Sequence, residues 1–328
     1  MSFVDRELKE LEGQIKDVAF TKLITCHPAM VQIKVRHTEY KQLTMCAQFP
    51  DGYPNEILLL ELKSKSILDK LIDGLVRVCE QELDKYKGEQ QLLVLVKFVN
   101  EFIVSNPFMV CSDELSFIKK DLTREGDEVK IKKKSGTIQY KAFQGRYFID
   151  FVLTVPNEYP HQHAKLELKS SNFPADFITI FMGHSTEMLR QCVQPPLRKK
   201  PSDPPFQPKP SLQPVANYLV TNCARKFPLE QCAVCNKPAL PEDPKDIVSE
   251  ESHDMFVFRV YCSHLYHRGC LDSYMKTPPF EGGKKCPKCQ QRIFHDKWNV
   301  PPRLAEERWA HKEAREREVA EVADFLGL

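Results

Sequence analysis

Eight residues able to bind a transition metal crowd into the C-terminal third of the chain: Cys232, Cys235, Cys262, His264, His267, Cys270, Cys286 and Cys289. Their spacing reads C-x2-C-x26-C-x-H-x2-H-x2-C-x15-C-x2-C. Thiolate and imidazole are the ligands zinc takes in tetrahedral sets of four, and two ligands separated by two residues can grip one ion from a single tight turn. Eight ligands are enough for two zinc ions. A site closed by four protein ligands leaves no position for water or substrate, so such ions would brace a fold rather than drive a reaction.

The rest of the chain sets the conditions for that chemistry. Its 328 residues suffice for two or three domains. A balance of 47 Lys+Arg against 45 Asp+Glu gives no reason to expect nucleic acid or a membrane surface as a partner. The N-terminal stretch MSFVDRELKELEGQIK is charged and amphipathic and lacks a signal-peptide core. No run approaches the ~20 apolar residues of a membrane span. A reducing location, cytoplasmic or nuclear, is therefore expected, where paired cysteines serve metals rather than disulfides. Cys26, Cys46, Cys79, Cys111, Cys192 and Cys223, outside the cluster, read as buried free thiols.

Upstream, the chain matches itself at an offset of 106 residues: FPDGYPNEILLLELKS at 49–64 and VPNEYPHQHAKLELKS at 155–170. Each copy has a strand-like run (LTMCAQ, DFVLTV), a Tyr-Pro turn that holds the chain extended, and a second strand of alternating character, with Leu60 and Leu62 in and Glu61 and Lys63 out. Helical periodicity precedes each copy, at 4–16 and around 113–123. It also follows each, at 66–86 and 89–103 in the first and 211–224 in the second. The expected fold class is α+β. Residues 195–214 hold eight prolines in twenty positions and read as an exposed insertion before the last helix of the second copy. Its Arg198-Lys199-Lys200 cluster, like the lysine-rich 129–136, reads as solvated.

The two copies, about 1–108 and 109–228, resemble RWD domains, a family that has a Tyr-Pro turn after a meander of strands and shares its fold with ubiquitin-conjugating enzymes. Those enzymes carry an HPN motif a few residues before a catalytic cysteine. Neither copy does, since Cys26-His27-Pro28 orders the elements wrongly. The resemblance thus implies non-catalytic binding domains.

Ligand order and spacing at 229–300 resemble a RING finger of the RING-H2 type. A PHD finger would place Cys and Trp where His264 and Lys284 stand, and a LIM domain needs a further CxxC directly after Cys270. The resemblance implies a cross-brace of two zinc ions, one held by Cys232, Cys235, His267 and Cys270, the other by Cys262, His264, Cys286 and Cys289. It also implies a contact surface for a ubiquitin-conjugating enzyme made by Val234, Leu271, Tyr274 and Pro287. Gln290 stands where many active members place an arginine that bridges the enzyme and its thioester-linked ubiquitin. Gln donates hydrogen bonds but brings no charge. No cysteine follows Cys289, so no downstream nucleophile is available for a thioester on this chain.

Two RWD-like domains and a RING resemble the RWD–RING ubiquitin ligases, in a layout similar to the Fanconi anaemia core-complex ligase. That resemblance implies an E3 ubiquitin ligase whose partners are a conjugating enzyme, ubiquitin and a protein substrate. The alternatives are a non-catalytic zinc-stapled adaptor, which Gln290 favours, and a ligase for a ubiquitin-like modifier. Residues 301–328 read as a charged helical tail packed beside the zinc domain, with Val319, Val322, Phe325 and Leu326 as a short apolar stripe.

Overall fold

The computed structural model describes residues 2–196, 204–294 and 301–326. The chain packs as two compact units. One comprises Met1–Lys141, Asp150–Ser170 and Phe181–Leu219, and the other Ala142–Ile149, Ser171–Ile180 and Val220–Leu328. No described helix is long and apolar enough to cross a membrane.

Helix α1 (Phe3–Gln14) starts at a reciprocal cap, in which the Ser2 hydroxyl accepts from Asp5 N and the Asp5 carboxylate accepts from Ser2 N. An antiparallel meander follows: β1 (Thr21–His27), β2 (Met30–Arg36), β3 (Gln42–Gln48) and β4 (Leu59–Lys63), in that spatial order. The register pairs Val31 with Ala47, Ile33 with Met45 and Val35 with Leu43, so these six side chains share one face and are buried. Helices α2 (Asp69–Leu83) and α3 (Leu92–Ser105) supply the other side of that core, with Leu75, Cys79 and Leu83 from one and Leu95, Val96 and Val99 from the other. The Tyr-Pro turn lies between β3 and β4.

A carboxylate organises this half. Glu7, only 2% exposed, is surrounded by the apolar face of α1. One of its oxygens accepts from Gln91 N and Leu92 N, both at 2.7 Å, and the other accepts from the Tyr53 hydroxyl. The first amides of a helix have no partner inside the helix and carry partial positive charge, so a buried carboxylate there is satisfied on every side. The opening helix, the Tyr-Pro turn and the start of α3 are thereby tied at one point.

The second half repeats the plan. Helix α4 (Ser112–Phe117) precedes β5 (Glu128–Lys132), β6 (Thr137–Gln144), β7 (Tyr147–Thr154) and β8 (Lys165–Ser171), again a four-stranded sheet in sequential order. Tyr140 and Phe151 stack in its core at 5.7 Å. Helix α5 (Ala175–Val193) and a helical segment beginning as α6 (Leu212–Asn217) and continuing in wider turns to Arg225 complete it. The clasp recurs as well. Glu114 accepts from the Tyr159 hydroxyl at 2.5 Å and from Gln213 N at 2.9 Å, while the Tyr159 oxygen accepts from Ser211 N at 2.6 Å. Burial pushes the Glu114 carboxyl above its ordinary range, against the hydrogen bonds that pull it down. Both Tyr-Pro bonds are cis.

Residues 204–210 form neither helix nor strand, consistent with their prolines, and Arg198, Lys199 and Lys200 lie outside the described residues. Cys46, Cys79, Cys111 and Cys223 are buried free thiols, whereas Cys26 and Cys192 are half-buried. Residues 302–326 form helix α8 (Pro302–Leu326) as the periodicity predicts. Its stripe is not packed away, because Val319, Val322 and Leu326 are each more than half exposed.

Glu114→Ala strands two donors, Tyr159 OH and Gln213 N, and is expected to cost about 2–4 kcal/mol in denaturant unfolding. Glu114→Gln keeps an acceptor oxygen for one of them and removes the buried charge, so its cost is expected to stay under about 1 kcal/mol.

Candidate metal centre

Two tight hairpin-like knuckles present the paired cysteines. In the first, Asn236 N donates to Cys232 O at 2.9 Å and Cys232 N to Lys237 O at 2.9 Å. In the second, Gln290 N donates to Cys286 O and Cys286 N to Gln291 O, both at 2.8 Å. The residue after each pair turns left-handed, Asn236 at φ 57° and Gln290 at φ 61°. Asn takes that conformation readily and Gln with strain.

The middle ligands come from a short antiparallel pair, β9 (Val257–Arg259) and β10 (Leu265–His267), and from α7 (Arg268–Lys276). The turn between the strands carries Cys262 and His264, the end of β10 carries His267, and the first turn of α7 carries Cys270. Strand and helix thus deliver consecutive ligands to different ends of the domain. Cys232, Cys235, His267 and Cys270 converge as one group, and Cys262, His264, Cys286 and Cys289 as another, with ligand atoms in each group within 4.8 Å of one another. Beneath them Cys232, Val260, Tyr266, Leu271, Cys286 and Ile293 form a small core.

The donor geometry fits zinc. With Zn–S near 2.3 Å and Zn–N near 2.0 Å, a tetrahedron has edges of about 3.5–3.8 Å. His267 Nδ1 lies 3.4 Å from Cys235 Sγ and 3.8 Å from Cys270 Sγ, and His264 Nδ1 lies 3.5 Å from both Cys262 Sγ and Cys286 Sγ. Both histidines therefore face their clusters through Nδ1. Outer contacts hold the ligands in place: His267 Nε2 meets Pro238 O at 3.1 Å, and the Tyr266 hydroxyl donates to Cys286 Sγ at 2.9 Å. Burial opposes ionisation of Cys232, yet hydrogen bonds from His267 and from backbone amides bring its thiol down to about 6.

Between the knuckles lie the residues expected to meet a conjugating enzyme. Val234 is half-buried against the small core, and Pro287 and Gln290 are exposed. Tyr274 is fixed from two sides, its hydroxyl donating to Lys285 O at 2.7 Å and its ring lying 4.6 Å from the Lys284 ammonium. Lys284 also lies 5.5 Å from the Phe280 ring and is 6% exposed. Burial pulls its ammonium below the ordinary lysine range. Leu271 requires a correction. It is wholly buried beneath the ligands and belongs to the core, so it offers no contact surface. The Gln290 side-chain amide folds back to donate to Pro287 O at 3.3 Å. The contact Tyr266 makes with a ligand and the burial of Lys284 among aromatic rings escaped the sequence reading, since the ligand spacing signals neither.

Eight ligands divided alternately between two clusters define a cross-braced zinc finger. Residues 232–289 match the family model of the C3HC4-type zinc finger, the RING finger, with His267 standing at the fifth ligand. Residues 7–103 match the RWD domain model. No curated protein matches the chain.

Removing an outer contact of this kind typically weakens metal affinity by roughly 10–100-fold. In the zinc-loaded protein, Tyr266→Phe is expected to release the metal of the Cys262 cluster to a chelator at about a tenth of the concentration wild type needs, with the Cys232 cluster unchanged. Chelator titration with a zinc-sensitive dye reads both steps.

Proposed function

We propose that this chain is a RING-type E3 ubiquitin ligase carrying two RWD-like domains and two structural zinc ions. The observation that carries the reading is that Val234 of the first knuckle and Tyr274 of α7 both pack partly exposed on the small core beneath the ligands, with Pro287 exposed on the second knuckle. Leu271 lies in the core on which Val234 and Tyr274 pack, and Lys284 lies against the Tyr274 ring. A conjugating enzyme seated there would have its thioester held for attack by a substrate lysine. The amine forms an isopeptide bond to the ubiquitin carbonyl while the enzyme's cysteine leaves as thiolate. The chain's contribution is orientation, with no covalent step of its own.

The second RWD-like domain rests on the repeated clasp. Glu7, Tyr53 and the start of α3 in the first half correspond to Glu114, Tyr159 and the start of α6 in the second, each below a meander of the same strand order. Both are read as sites for substrate or partner proteins, in a protein of the cytoplasm or nucleus. The adaptor reading has one observation in its favour. The Gln290 amide is turned onto its own loop, so it holds no bridge ready for ubiquitin.

Two zinc ions per chain are expected by elemental analysis. Single-turnover discharge of ubiquitin from a panel of charged conjugating enzymes onto free lysine tests the rest. Val234→Ala is expected to slow discharge roughly tenfold, the effect of losing about 1.4 kcal/mol at one apolar anchor. Gln290→Arg is expected to accelerate it. Zinc-loaded wild type that discharges no enzyme in the panel would favour the adaptor.

A further inference from the structure

The long loop between the first knuckle and β9 does more than join them. Together with the start of α5 it encloses a cavity of about 430 Å³, within the ~300–1,000 Å³ of ligand sites. Its walls are mostly apolar, with Pro238, Leu240, Ile247, Met255 and Phe256 facing Phe177 of α5. The walls are preformed. Tyr147 OH donates to Pro241 O at 2.8 Å, Arg146 pairs with Asp243, Arg268 N donates to Phe256 O at 2.7 Å, and Gly269 N to Asp254 O at 2.9 Å. A Cβ on Gly269 would come within 3.0 Å of Asp254, so this close approach depends on glycine.

The charge around the cavity is predominantly acidic: Asp176, Glu242 and Asp246 line it against the single cation Lys237. Residues 242–254 hold six carboxylates and one lysine. Asp243 and Asp254 are engaged by arginines. Asp176, Glu242 and Asp246, which line the cavity from two different elements, form no ion pair among the described residues. Met255 stands at the same site with 52% of its surface in solvent, so part of the apolar wall is open to a partner.

We propose that this cavity is a docking site for an extended peptide segment of a partner protein, in which one bulky apolar side chain is flanked by lysine or arginine. The apolar side chain fills the cavity against Leu240, Met255 and Phe256, and the flanking cations meet Asp176, Glu242 and Asp246. Acidic lips favour such a segment and repel an acidic one. The site is separate from the Val234–Tyr274–Pro287 patch and holds whether or not that patch serves a ligase.

An array of acetylated decapeptides tests it, with Leu, Phe, Tyr or Trp at the centre and flanks of Lys/Arg, Ala or Glu, probed with the full-length chain. Retention is expected on basic-flanked peptides and about tenfold less on Glu-flanked ones. Met255→Glu and the Glu242→Lys/Asp246→Lys double variant are each expected to lose about tenfold, a hot-spot-sized effect. All three positions are exposed, so circular dichroism should be unchanged, and Val234→Ala should bind as wild type. Retention on no peptide, retention indifferent to flank charge, or binding that survives both variants overturns the proposal. So does a dimer, seen by sedimentation, that Met255→Glu dissolves, because the cavity would then belong to a second copy.

Discussion

Alternation of the ligands is the constraint on which the C-terminal domain depends. If each cluster drew on four consecutive ligands, each could form as a local loop. Here His264, in the turn before β10, and His267, at the end of that strand, serve different clusters, so neither site can close until the other half of the domain is in place. The core under them is too small to impose that order alone: its buried members include the cysteines Cys232 and Cys286. Metal ligation and folding are therefore one event in this region.

In the N-terminal halves a buried carboxylate has the corresponding part. Glu7 and Glu114 each pair with a tyrosine phenol and with the first amides of a distant helix, and each satisfies donors that water cannot reach. Single acids on the apolar faces of short helices would destabilise them. Placed under a helix N-terminus they fix the angle of three elements at once. The two halves diverge in length around this point, through the proline-rich insertion, without disturbing it.

Much of this was legible before the structure was known. The offset of 106 residues predicted a repeated plan, and both meanders lie where the Tyr-Pro turns place them. The metal clusters follow the pairing that the RING resemblance implies. What stayed hidden has physical reasons. Glu7 on the apolar face of α1 was a signal that periodicity analysis passes over, because it scores apolar positions and ignores the acid among them. Leu271 and Tyr274 are three apart on α7, and spacing alone cannot say which faces the core; the helix turns Leu271 inward and leaves Tyr274 at the surface. Lys284 sits among aromatic rings from α7 and the following loop, a neighbourhood that only the folded chain creates. The enclosure of an apolar cavity by the loop before β9 depends on the contacts of Arg146, Tyr147 and Gly269, which join residues far apart in the sequence.

The carboxylate clasps also carry a temporal consequence. Glu7 meets amides 84 and 85 residues further along, and Glu114 meets one 99 residues further along. Contacts this remote in sequence close late and slow the search for the native state. On a ribosome, the opening helix of each half emerges first and must wait, its acid unpaired, until nearly a hundred more residues have been made. The second wait spans synthesis of the whole proline-rich insertion. Each half thus remains an unfinished, chaperone-accessible chain for most of its own translation and becomes a closed domain only as its last helix appears.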